Sequence, residues 1–276
     1  MANAVKILSP KLDLIFKLLF GTEGNIEILT DFLLSVLKLS PSEYDKITIA
    51  NPFLLQEYKG GKLGILDVRL TLKSGKAINI EIQVDPMPAM KSRILFYTSK
   101  LIIAQVGESD LYDKIQRVIS IIITDHPLIE DSDKFHHHFG LYDLESKVLL
   151  TDILEIHTLE IPKTRKTFDD TKDTKLLNWM KFLDAKTEEE LNVLAQKSPA
   201  LKTATIRLLE LSADEKARQL YEARLKEQRD YNMRERGTVL TIAKNLLKRG
   251  ISISDISADT GLSHEDVERL QKDFCG

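Results

Sequence analysis

Apolar residues recur at helical spacing near the start of the chain. Leu12, Ile15, Phe16, Leu19 and Phe20 fall on one face, Ser9-Pro10 opens the run and Gly21 stops it. A second helix is predicted over residues 25–39, with Ile26, Leu29, Leu33, Val36 and Leu37 on its apolar face and Ser40-Pro41 at its end. From Ile47 the period shortens to two. Ile47-Thr48-Ile49 is a short strand signal. Residues 66–72 and 77–84 each alternate apolar and polar positions around Lys73-Ser74-Gly75-Lys76, a hairpin turn. Asp85-Pro86-Met87-Pro88 breaks that pattern, and a helix is predicted over residues 89–106. The β-branched run at residues 118–123 reads as a buried central strand. Two further strands are expected near residues 135–142 and 153–161, closed by Pro162.

Beyond residue 163 the strand signals stop. Residues 170–236 read as helices with apolar faces such as Leu176, Trp179, Met180 and Leu183, including a long charged helix over residues 214–236 whose charges read as a solvated face. Trp179 reads as a core anchor rather than a base-stacking platform. A last helical unit is expected over residues 239–274, with Gly250 ending one helix, Ser252 or Ser254 capping a second and Gly261-Leu262-Ser263 turning into a third. The expected organisation is an α/β unit over residues 1–164, a helical extension over 165–236 and a small helix-turn-helix-like unit over 237–276. In that last unit the second helix would start at Ser263-His264-Glu265-Asp266. Two acids aimed at phosphates would be repelled, which favours packing or dimerisation over reading DNA.

Composition narrows the class. With 276 residues, 43% hydrophobic and 29% charged, the chain is an ordinary globular protein with enough length for a sizeable core. The start has neither the basic region nor the apolar core of a signal peptide, and no apolar run reaches the ~18 residues of a membrane span. Cys275 is the only cysteine, so no intrachain disulfide can form. These features fit the cytoplasm and no membrane partner. The net charge of −3 does not advertise a nucleic-acid binder, nor does it exclude one built on a local groove. Residues 1–164 carry 18 Lys/Arg against 22 Asp/Glu, so the acid excess sits where a metal site would need it.

The hairpin carries the candidate chemistry. Glu81 and Gln83 share one face of their strand, while Ile80, Ile82 and Val84 take the other. Whether Asp67 joins Glu81 depends on the turn. A two-residue loop at Ser74-Gly75 would pair Asp67 with Ile82 and put the carboxylates on opposite faces. A three-residue loop at Lys73-Ser74-Gly75, closed by a glycine in the left-handed region, pairs Leu72 with Lys76 and Asp67 with Glu81. The second register also gathers Leu66, Val68, Leu70 and Leu72 with Ile78, Ile80 and Ile82 on one face, so burial favours it. Two carboxylates about 5 Å apart at Cβ repel unless a positive charge lies between them. They read either as two solvated acids or as oxygen ligands for a hard divalent cation.

Elsewhere, His136-His137-His138 has the look of a metal tract. On a strand only His136 and His138 share a face, and no acid or cysteine lies at ligand spacing beside them.

Ser9-Pro10-Lys11 with Asp13, Phe16-Lys17 and Leu19-Phe20-Gly21 resembles the opening of the recombination-promoting nuclease (Rpn) / putative transposase family. Residues 64–69, Gly-Ile-Leu-Asp-Val-Arg, with Asn79-Ile80-Glu81-Ile82-Gln83 resemble that family's core motif, and Arg93, Tyr97 and Gln105 its next helix. The resemblance runs over residues 9–235. It implies the PD-(D/E)XK nuclease superfamily: an α/β fold with a mixed central β-sheet flanked by helices, a restriction-endonuclease-like core, here with a C-terminal helical extension. It implies a metal-dependent DNA endonuclease linked to recombination or mobile elements. Asp67, Glu81 and the Ile82 backbone carbonyl would be metal ligands, with Mg²⁺ the first expectation and Mn²⁺ or Ca²⁺ as substitutes. Gln83 stands where the wider superfamily has lysine, a departure that matches the Rpn-type pattern; it would orient the attacking water. Asp13 is either a third ligand or the i,i+4 ion-pair partner of Lys17. Arg93 and Tyr97 share a helix face and either hold a substrate phosphate or cover the rim of the site. The alternative to an enzyme is a degenerate nuclease fold that binds DNA or protein. A homodimer through the C-terminal unit is the remaining expectation.

Overall fold

A computed structural model describes residues 6–37, 47–50, 53–54, 64–65, 68–72, 75–87, 89–165 and 174–275. Its centre is a six-stranded mixed sheet in the order β1 (Ile47–Ala50), β4 (Val68–Leu72), β5 (Ala77–Gln83), β6 (Val118–Thr124), β8 (Leu149–Glu160), β7 (His136–Tyr142). β5, β6 and β8 run parallel, and the outer neighbours are antiparallel. A separate two-stranded ladder joins β2 (Phe53–Leu54) to β3 (Gly64–Ile65). This is the mixed sheet with flanking helices that the sequence resemblance implies.

The hairpin register is the three-residue one. Val68 pairs with Ile80, Leu70 with Ile78 and Thr71 with Ala77. The Leu72 amide donates to the Lys76 carbonyl at 2.9 Å, and Gly75 sits at φ +85°, where only glycine is free of Cβ strain. Alternation then splits the two strands cleanly. Val68, Leu70, Leu72, Ile78, Ile80 and Ile82 are buried on one face, and Arg69, Thr71, Asn79, Glu81 and Gln83 occupy the other.

Helix α1 (Asp13–Phe20) packs against β5 on the apolar face, bringing Gly21 against Val68. Gly21 is the C-cap, its amide donating to the Lys17 carbonyl, and a Cβ there would lie 2.9 Å from that same oxygen. Helix α2 (Ile26–Val36) packs on α1, and α5 (Lys175–Asp184) and α7 (Pro199–Ala213) pack on α2. Trp179 is fully buried among Phe20, Phe32 and Phe182, and its indole N–H donates to Asp31 at 2.9 Å. It is a core anchor, as its apolar setting in the sequence implies.

Helix α3 (Met90–Ile103) covers the opposite, polar face of the hairpin, with Tyr97 and Leu101 packed on Ala77 and Val118 and with Met90 and Ile94 on Ile122 and Ile156. β8 starts at Leu149, four residues before the expected start. Leu149, Leu150 and Asp152 are exposed, so they show no alternation that the sequence could betray. Pro162 closes β8 as the N-terminal proline of the short α4 (Ile161–Thr164), where its missing N–H costs nothing. Helix α6 (Glu188–Ala195) opens with a capping box between Thr187 and Glu190.

The chain divides into compact units at residues 1–218 and 219–276. Helix α8 (Glu215–Lys248) runs without a break through residues 236 and 237, the position expected for a domain boundary. In the second unit, Gly250 (φ +75°) and Gly261 (φ +72°) take left-handed turns, and Ser252 rather than Ser254 caps α9 (Ile253–Thr260) by accepting from the Asp255 amide. With α10 (His264–Cys275) these helices bury Ala243, Ile256 and Val267. No helix among the described residues is long and apolar enough to cross a membrane.

Candidate functional site

Glu81 is only 5% exposed. β5 lies between β4 and β6, and α3 closes over the face on which Glu81 stands. Burying a carboxylate in that position costs free energy that a cationic partner offsets. Arg93 supplies it, donating from Nε at 3.3 Å and Nη2 at 3.1 Å to Glu81 Oε1. The guanidinium also lies 4.7 Å from the centre of the Tyr97 ring, one turn further along α3. Ala89, the residue before α3, takes φ +57°, a left-handed conformation that costs an alanine about 1–2 kcal/mol.

Gln83 stands two residues on, on the same face as Glu81. Its Nε2 donates to the Asp85 carbonyl at 3.0 Å, so its amide oxygen is the end that can accept a hydrogen bond. Its backbone carbonyl accepts from the Asp125 amide at 3.1 Å, which ties the end of β5 to the end of β6. There the opening motif arrives. Lys11 Nζ bonds Asp125 at 2.6 Å and Asp184 at 2.9 Å, and Arg165 bonds the same two carboxylates. Burial pushes the Asp184 carboxyl up, but hydrogen bonds from Arg165 and Lys11 and their charges outweigh it, leaving it below its ordinary value. The matching bond to Asp184 raises Arg165.

The other expected residues fall as follows. Asp67 lies outside the described residues. Ile82 points its side chain into the apolar face and has its backbone on the strand between Glu81 and Gln83. Asp13 is the first residue of α1 and, like Lys17, is half-buried; neither is without a partner. Tyr97 is buried in the core beside Ala77, Leu101 and Val118. Arg93 and Glu81, twelve residues apart with a break and a helix start between them, are a pair that spacing alone does not reveal. One cross-strand step below Glu81, Arg69 pairs with Asn79, and Arg69 Nε and Asn79 Oδ1 are buried without hydrogen-bond partners among the described residues. Burial also lowers the Arg69 pKa. The sequence offered one signal for this pair, polar residues alternating onto the Glu81 face.

Among the described residues, His138, Glu155 and His157 form a group whose nitrogen and oxygen atoms lie within 4.8 Å of one another, on the face of the sheet opposite Glu81.

A family model described as PD-(D/E)XK nuclease family transposase matches residues 10–237. No curated protein and no solved structure matches the chain.

Proposed function

The chain belongs to the PD-(D/E)XK nuclease family of transposases, and from that premise we propose that it is a divalent-metal-dependent DNA endonuclease whose catalytic residues are Asp67, Glu81 and Gln83. The observation that carries this reading is the hairpin register. Val68 faces Ile80, which is the three-residue register on which the sequence expectation for Glu81 and its partner carboxylate rests.

The donor set suits a hard cation: a buried carboxylate on a rigid central strand, with backbone carbonyls beside it. Asp67, Glu81 and the Ile82 carbonyl would hold Mg²⁺, with Asp13 as a further ligand, and the bound ion supplies polarisation of the phosphoryl oxygen and a more acidic water. Gln83 is neutral and cannot serve as a base. Its amide oxygen, fixed by the bond from Nε2 to Asp85, accepts from the attacking water and sets its direction. Arg93 holds the buried charge of Glu81 when no cation does. It can pass to a substrate phosphate once that charge is otherwise neutralised, with Tyr97 keeping the guanidinium in place. Arg69 lies on the same face and is a second cation for the DNA backbone.

The test is cleavage of supercoiled DNA with Mg²⁺ or Mn²⁺. EDTA should abolish it. Glu81→Ala and Asp67→Ala should each lower the rate by about 10²–10³, the scale of losing one group that stabilises developing charge, with circular dichroism unchanged. Parental rates in both variants would sink the assignment. The pairing of Arg93 with Glu81 also favours one other reading, a fold that has closed its metal site and binds DNA without cutting; calorimetry showing no Mg²⁺ or Mn²⁺ binding would select it. The acidic first turn of α10, Glu265 and Asp266, supports pairing of two copies through the C-terminal unit rather than DNA reading, and sedimentation of the full chain tests that.

A further inference from the structure

Three consecutive histidines on the edge strand β7 alternate faces. His136 and His138 share one and His137 takes the other. Pairing with β8 puts His138 directly across from His157, and Glu155, two residues earlier on β8, shares that face opposite Gly140. The side chains converge. His138 Nε2 lies 2.9 Å and His157 Nε2 2.8 Å from the same atom, Glu155 Oε1. Arg117 engages the other carboxylate oxygen, which fixes the direction of Oε1. His136 Nε2 meets His157 Nδ1 at 2.8 Å. Glu155 and His157 are buried, and the His138 side chain is 52% exposed.

We propose that His138, Glu155 and His157 form a transition-metal site that binds Zn²⁺ through two imidazoles and one carboxylate, separate from the site at Glu81. The donor set differs in kind from the oxygen set of the hairpin, because imidazole nitrogens suit Zn²⁺ and carboxylates and carbonyls suit Mg²⁺. The place differs too. Glu155 and His157 lie on the face of β8 opposite Ile156, which packs beneath α3, whereas Glu81 lies on the α3 side. His157 is held by a partner on its second nitrogen, the arrangement that orients a ligand histidine and fixes its tautomer. The ladder positions Glu155 and His157 before any ion arrives. The rings of His138 and His157 stack within 10° of parallel, 4.4 Å apart. An ion cannot lie in both ring planes at once, so coordination requires His138 to turn. It is the exposed member, on the edge strand, and solvent reaches the remaining coordination position past it.

The experiment is calorimetric titration of untagged, chelator-treated full chain with Zn²⁺ alone, backed by bound-metal analysis after gel filtration. One saturable site per chain is expected in the parent and in Glu81→Ala. His138→Ala removes the exposed ligand at little risk to the fold, and Glu155→Gln keeps the shape and removes the charge; each should weaken binding by at least tenfold. His136→Ala should weaken it about 10–100-fold by releasing His157. Tetrahedral Co²⁺ absorption should be present in the parent and lost in His138→Ala. Absence of a one-to-one site overturns the proposal, as does binding that survives in both His138→Ala and Glu155→Gln. Zn²⁺ binding that disappears in Glu81→Ala but persists in His138→Ala also overturns it, and leaves the hairpin assignment standing.

Discussion

Glu81 and Glu155 are two buried carboxylates in one sheet, on opposite faces, each paired with an arginine. Among the described residues, Glu81 is paired with Arg93 from the covering helix, and on its own face it neighbours Asn79 and Gln83 along β5 and Ile122 on β6. Glu155 has Arg117, at the residue just before β6, and also receives two imidazoles from its own strand and the next. A single compensating cation leaves a carboxylate dependent on that cation, or on whatever replaces it. A carboxylate with several partners can lose one and keep its charge. The same residue type in the same sheet is therefore exchangeable at one place and over-determined at the other.

The largest effect should come from removing the arginines. Arg93→Met strands Glu81 without its cation and should cost about 2–3 kcal/mol in urea unfolding, less than the ~3–5 of a fully buried pair because Arg93 is 30% exposed. Arg117→Met should cost less, since His157 and His138 still face Glu155. If the two variants lose the same stability, the contrast between the carboxylates is empty. A sharper form uses Mg²⁺. An ion that takes over the charge of Glu81 should raise the unfolding midpoint more in Arg93→Met than in the parent, where Arg93 competes for the same oxygen. An equal rise in both would show that the arginine and the ion do not share a site.

The hairpin was legible in the sequence because two independent constraints agreed. Gly75 stands at the one position where a three-residue turn needs φ > 0, and only that register buries both hydrophobic sets together. The helices around Trp179 and the capped turns at Gly250 and Gly261 were legible for similar local reasons. What the sequence hid is long-range. Glu155 and His157 are the ligands that His138 lacks at local spacing, and they reach it across a hairpin whose register shifts at Gly140 and Leu141. Arg93 reaches Glu81 from a separate helix that starts after a left-handed Ala89, a conformation that nothing in an alanine announces. The continuity of α8 through Gly237 was equally hidden, since a glycine inside a helix costs about 1 kcal/mol and its neighbours can outweigh it.

The register that places Glu81 can itself be stressed. Gly75→Ala puts a Cβ at φ +85° and 3.2 Å from Gln116 Cγ, a flexible side chain that can move aside. The backbone term remains, about 1–2 kcal/mol. The expected outcome is that loss of stability with little change in cleavage per folded molecule. A loss of cleavage much larger than the loss of folded protein would mean that the turn slips register and disrupts the site as well as the fold.

A third carboxylate completes the contrast and should give the smallest effect. Asp184 is held by two cations, Lys11 and Arg165, at the edge of the same unit. Its folded pKa is lowered, so the folded state binds its proton more weakly than the unfolded chain does. The stability it contributes is therefore fully present above the ordinary carboxylate value and is lost as pH falls through the lowered folded value. Asp184→Asn should cost about 1 kcal/mol at neutral pH, because Asp125 still holds Lys11 and Arg165 is half exposed. The difference between variant and parent should shrink towards zero in acid, read from urea midpoints at a series of pH values. A difference that stays constant down to the acid limit would mean that shape rather than charge holds Asp184. The distinction between one-cation and many-partner carboxylates would then rest on Glu81 and Glu155 alone.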